Sequence, residues 1–224
     1  MYKDYALPDD GSYQDSWHEK IQDIYFAYTY IKSKFWKSRD PDDEEVLLSK
    51  ALLNFKNHRC RKDIKEYFML DIASFIQFCT PLAGIVKIRA DITLIPCPTS
   101  RPGRYSCIAD AIKRIVEITE TSGEKTENYL GLDSVLLYYD GTDILQRTAA
   151  VTPMKYLRKK PSVAEVKKSI ECFDTEPSLL SNEIVLIDDI TTTGTTMRAC
   201  REILIENGAD PDRIHCFALA KTHW

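Results

Sequence analysis

The chain lacks the spacings that would organise its cysteines. Seven are present, Cys60, Cys79, Cys97, Cys107, Cys172, Cys200 and Cys216, odd in number and never arranged as C-x-x-C. Such a set is poor material for a disulfide framework or a zinc knuckle and points to reduced thiols in a cytoplasmic setting. Long apolar runs are missing too. The most apolar window, FMLDIASFIQFCTPLAGIVKI from Phe68, is interrupted by Asp71, Gln77 and Pro81, so no membrane span is expected. The opening MYKDYALPDD has no basic stretch leading into an apolar one, so no secretory signal is expected either. Positive charge is not in excess. A net charge of −4 argues against a protein that grips nucleic acid over its whole surface, though a local basic groove stays open. No G-x-x-x-x-G-K-[ST] phosphate loop, internal repeat or low-complexity tract occurs.

What is present is an alternation of short apolar strands with amphipathic helices. With 224 residues, the chain is long enough for one sizeable core and a small appended unit. Helical spacing of Ile21, Ile24, Tyr25, Tyr28 and Ile31 predicts a helix over Trp17–Trp36. A second helix follows Pro41, capped by Asp42 or Asp43, and a third is expected over roughly Asp63–Phe78. Downstream, strands are predicted at Ile92–Ile95, Val135–Tyr139, Ile184–Ile187 and Ile214–Leu219, with helices at Ile108–Ile118 and Thr195–Asn207. Gly208 suits the left-handed position after the last helix. The order is that of an α/β fold: an open, mostly parallel sheet flanked by helices. The helices over residues 1–48 form an N-terminal helical extension, and residues 49–224 the α/β domain.

The segment IVLIDDITTTGTT, Ile184 to Thr196, concentrates the chemistry. In an open α/β sheet, ligands bind beyond the carboxyl ends of the strands. Asp188 and Asp189 stand at such an end, and ionised carboxylates accept hydrogen bonds from vicinal sugar hydroxyls. Neighbouring strand residues point to opposite faces, so both meet one ligand only if the chain bends there. Thr191, Thr192, Thr193, Gly194, Thr195 and Thr196 then turn into a helix. Backbone N–H groups at that helix start, with the threonine hydroxyls, suit a phosphate, and Gly194 permits close approach. Hydroxyls near the aspartates and phosphate deeper in the loop describe a ribose 5-phosphate.

This segment resembles the phosphoribosyl-pyrophosphate (PRPP) motif of the type I phosphoribosyltransferases. Around it, LLNFKNHRCRKDIKEYF from Leu52, LIPCPTSRPGRYS from Leu94 and LQRTAAVTPMKYLRKKPSV from Leu145 are similar to segments of the ComF-like branch, over about residues 49–224. The first is similar to a helix and Lys-bearing turn, the second to a strand end with a basic loop, the third to a basic excursion before the motif. Two departures stand out. The N-terminal zinc-binding cysteines of ComF proteins are absent, and Gly103-Arg104-Tyr105-Ser106 replaces the family's Gly-Phe-Asn-Gln.

The resemblance implies a cytoplasmic transferase of nucleotide metabolism that moves phosphoribose from Mg-PRPP to a nitrogen acceptor and releases pyrophosphate. It implies that Asp188, Asp189, Arg101 and Arg104 serve catalysis, with Thr99 and Ser100 in the pyrophosphate loop. Arg147, Lys155 and Arg158 would belong to a mobile loop that closes over the site. Mg²⁺ would arrive with PRPP, since no protein metal cage is evident. Two other readings stay open: a non-catalytic nucleotide or PRPP sensor, and an accessory protein of a DNA-uptake or anti-phage system. In the latter the N-terminal helices would dock a protein partner. The acceptor and the oligomeric state are undetermined by sequence. His58 with Cys60 is too small a set for zinc, and His215 reads as a packed, satisfied side chain.

Overall fold

The computed structural model describes residues 20–21, 24–40, 43–57, 62, 65–70, 72–73, 89–122, 135–150, 161–173 and 177–222. Among the described residues eight strands are formed: β1 (Lys20–Ile21), β2 (Ile24–Tyr30), β3 (Arg89–Pro96), β4 (Val135–Asp140), β5 (Leu145–Arg147), β6 (Ile170–Cys172), β7 (Glu183–Thr191) and β8 (Ile214–Thr222). The α-helices with defined bounds are α1 (Glu44–Lys56), α2 (Cys107–Ser122), α3 (Val163–Lys167), α4 (Pro177–Ser181) and α5 (Thr195–Glu206). Residues 65–70 and 72–73 are also helical, within the span expected for the third helix.

The main sheet runs β1-β2-β8-β7-β3-β4, and every pairing from β2 through β4 is parallel. β5 and β6 form a separate antiparallel pair. The chain is thus α/β, with five parallel strands flanked by helices. Alternation along β7 divides the core in two. Val185 and Ile187 pack with Leu52 and Phe55 of α1, Phe68, Ile72, and Ile112 and Ile115 of α2. Ile184 and Leu186 pack on the other face with Met197, Cys200 and Leu204 of α5, and with Leu145, Val166 and Ile170. Both faces are covered, which is why the central strands read as continuous apolar runs.

The helix expected over Trp17–Trp36 is corrected. Residues 24–30 form a strand of the main sheet, and Ser33–Ser38 is a short 3₁₀ helix. IYFAYTYI is aromatic and β-branched almost throughout, so its apolar positions satisfy a helical period and a doubly buried strand equally well. Parallel pairing with β8 decides between them. Trp17 itself lies outside the described residues. The next expectation holds: Asp43 caps α1 by accepting from the Glu45 and Val46 N–H groups. Ser49 of α1 accepts from the Ile31 N–H at 2.8 Å, tying the helix to the end of β2.

The chain leaves β3 through α2 toward β4, on one side, and leaves β7 through α5 toward β8, on the other. β3 and β7 are neighbours, so the order reverses between them. Their pairing ends at Pro96 opposite Ile187, followed by a last bond from the Cys97 N–H to the Ile187 carbonyl at 2.7 Å. β7 continues beyond it alongside β8 as far as Thr191 opposite Lys221. A crevice therefore opens where the two aspartates stand.

Candidate functional site

A cavity of ≈ 130 Å³ lies at this edge, lined by Asp188, Ile190 and Thr191 through Thr196. That is about four times a water's share of liquid volume, enough for a phosphate-sized group with part of what it carries. All six loop positions predicted from sequence line it together. Gly194 holds the turn. Its φ of 68° is left-handed, its N–H donates to Thr191 Oγ1 at 3.0 Å, and Ile24 packs directly beneath it. No side chain caps α5, so the N–H groups of its first turn face the cavity end of the helix without a side-chain acceptor. Thr193 and Thr195 share a hydroxyl hydrogen bond at 2.9 Å, and Arg198 braces the loop by donating to the Thr193 carbonyl at 2.7 Å.

The two aspartates diverge in direction. β7 stays extended through both, so their side chains go to opposite faces. Asp188 lines the cavity and accepts from the Asp189 N–H at 2.9 Å. Asp189 turns to the face covered by α1, where Lys56 Nζ lies 2.6 Å from its Oδ1. The same Oδ1 accepts from the Ile190 N–H at 2.6 Å. Of the two carboxylates expected along one ligand, Asp188 lines this cavity, and Asp189 stands on the other face of β7.

Each carboxylate has a cation on its own face. Lys56 serves Asp189. Arg147 is buried near Asp188, donating to the Thr99 carbonyl at 2.9 Å, Ser169 Oγ at 2.7 Å and the Pro98 carbonyl at 3.4 Å. Burial, then the Asp189 charge, push the Asp188 carboxyl up to about 7, while Lys56 and Arg147 hold it down. Cys97 and Cys200 lie beside them. The Cys97 thiol is pushed well above its ordinary value by its hydrogen bond with Cys200, then by burial and the Asp188 charge.

Arg147 is a correction. It ends β5 and anchors the loop after β3 to the β5–β6 pair, instead of standing on a mobile loop. Lys155 and Arg158 lie outside the described residues, as do His58 and Cys60. Thr99, Ser100, Arg101 and Arg104 leave the end of β3 on the cavity's edge of the sheet. Thr99 Oγ1 donates to the Arg101 carbonyl at 2.9 Å, and Gly103 holds a turn with φ 64°. Arg101 and Arg104 are exposed and form no ion pair with the described residues. His215 is satisfied as expected, 3.1 Å from Glu183 Oε2. No cluster of three His, Cys, Asp or Glu side chains that could hold a metal occurs among the described residues.

No protein-family model matches the chain, and no curated protein matches it in sequence. Among the described residues, no helix is long and apolar enough to cross a membrane.

Lys56 and the brace role of Arg147 were not legible as site features. Lys56 is separated from Asp189 by 133 residues, and only the crossing of α1 over the sheet unites them. The nearest signal was the Lys-bearing turn after Leu52. For Arg147 the sequence showed only a positive charge before a basic stretch.

Proposed function

We propose that this chain is a PRPP-binding protein of the type I phosphoribosyltransferase kind, transferring phosphoribose to a nitrogen acceptor. One observation carries the reading: a single cavity at the sheet's switch point joins one carboxylate to a loop of hydroxyls and helix-start N–H groups. The ligand that matches has hydroxyls at one end and a phosphate at the other. In this reading the 5-phosphate sits against Thr192 to Thr196, and Asp188 accepts from the ribose hydroxyls. Mg²⁺ would arrive with the pyrophosphate of the substrate, and the cavity lining itself supplies hydroxyl and N–H donors suited to an anion.

The transfer breaks the bond from the anomeric carbon to the pyrophosphate oxygen, which leaves with the electron pair. The acceptor nitrogen forms the new bond with its lone pair, and its proton passes to solvent. Positive charge grows on the ribose between these events, and Asp188, ionised as pH rises through about 7, stabilises it from a partly dry position. Arg101 and Arg104, exposed on the loop after β3, would meet the departing pyrophosphate.

The test is a panel of nucleobases and amines with Mg-PRPP, read by pyrophosphate release and thermal shift. Saturating Mg-PRPP, at about a hundred times its dissociation constant, should raise Tm by roughly 5–10 °C for a chain of this length. Absence of any shift in wild type, with no change on replacing Asp188 by Asn, would sink the ligand assignment. Binding without pyrophosphate release from any acceptor would replace the transferase by a nucleotide sensor or an accessory protein.

A further inference from the structure

The Lys56–Asp189 contact is the one ion pair on the described structure that joins a covering helix to the site strand. The helix α1 ends on Lys56, and its ammonium reaches the sheet edge where β7 has run past β3. Asp189 is 15% exposed and Lys56 40%, so the pair is partly withdrawn from water. Such a pair is weak evidence for stability, because desolvation offsets much of the attraction, and an apolar pair would serve a merely covering helix as well. The geometry does something more specific. Asp189 Oδ1 takes both the Lys56 ammonium and the Ile190 N–H, which fixes the carboxylate's direction on the α1 face. Asp188, its neighbour, is left as the sole carboxylate lining the cavity.

We propose that Lys56 is a positioning residue of the site: it holds the Asp189 carboxylate on the α1 face and offsets its charge, so that an anionic sugar phosphate can approach Asp188. The inference rests on the reading of the cavity as a PRPP site. Without Lys56, Asp189 would stand as an uncompensated negative charge beside Asp188. It would repel a polyanionic ligand and be free to leave its present direction. Among the described residues, the titratable groups that interact with the two carboxylates are Lys56 from α1, Tyr30 from β2, Cys107 from α2, Arg147 from β5 and Cys97 after β3. Among these, Lys56 is the cation in contact with Asp189, so no second group substitutes for it at that contact.

The experiment uses the full chain and calorimetric titration with two probes, Mg-PRPP and inorganic phosphate. Lys56→Met should weaken Mg-PRPP about tenfold or more, while phosphate, held by the threonine loop on the opposite face, changes by no more than about twofold. Lys56→Arg should restore Mg-PRPP affinity to within about threefold of wild type, because it returns the charge. Adding Asp189→Asn to Lys56→Met should recover most of the loss, since the stranded charge is gone. Thermal unfolding confirms that each variant folds, and Lys56→Gln takes the place of Lys56→Met if the latter does not. Unchanged Mg-PRPP affinity in the Lys56 variants overturns the inference. So does an equal loss for both probes, or no recovery in the double variant, since either marks a structural staple only. Failure of wild type to bind Mg-PRPP is a different result: it removes the reading of the cavity, and this inference with it.

Discussion

Gly194→Ala tests whether the threonine loop is built as described. Gly194 has φ 68°, and a Cβ there would stand 2.3 Å from Ile24 Cδ1. Two costs arise. A non-glycine residue in the left-handed region loses about 1–2 kcal/mol. The clash adds about 1–2 kcal/mol, because Ile24 is buried and its terminal methyl must leave its rotamer or push the loop outward. The sum, roughly 2–4 kcal/mol, corresponds to a fall in Tm of about 5–15 °C. The two parts can be separated. Ile24→Val removes the offending methyl and alone costs about 0.5–1.5 kcal/mol. In the Ile24→Val background, Gly194→Ala should lose only its backbone part, so the two changes couple favourably by about 1 kcal/mol or more. Urea denaturation of wild type, both single variants and the double variant measures this. If Gly194→Ala falls within about 0.5 kcal/mol of wild type, or the effects add without coupling, the loop does not sit on β2 as described.

Two further substitutions address the charges. Asp188 titrates higher in the folded chain than in the unfolded one, near 7 against an ordinary 3.8. Its neutral form is favoured by folding, so that contribution is present below the ordinary value and lost as pH rises through about 7. Asp188→Asn should therefore lose less stability than wild type between pH 5 and pH 8.5, by about 1–2 kcal/mol once solvent access through the cavity is allowed for. Equal pH dependence in urea titrations would refute the burial argument. Arg147→Met should cost about 3–4 kcal/mol, because the Thr99 and Pro98 carbonyls and Ser169 Oγ lose their donor in a buried place. A change below about 1 kcal/mol would mean that Arg147 is not the brace between β5 and the loop after β3.

Much of the architecture was legible because its signals are local. The cap at Asp43, the turn at Gly208 with its φ of 100°, and the apolar runs of β3, β4, β7 and β8 each depend on residues within one element. The threonine loop was legible for the same reason, since a strand, a turn and a helix start are contiguous in the chain. Residues 24–30 are not legible as a strand, because an unbroken aromatic and β-branched run carries no decisive period. Only the vacant side of β8, a partner nearly two hundred residues away, makes them a strand.

By itself the sequence determined that a carboxylate pair and a phosphate-suited loop meet at the end of a buried strand. Tertiary structure alone decided which carboxylate faces the cavity. Strand alternation sends the two aspartates to opposite faces, and the identity of each face depends on what packs there. α1 brings Lys56 to one, while β5 brings Arg147 to the other. Charge compensation is a matter of a few ångströms, and those distances are set by helices crossing a sheet, which sequence spacing does not encode.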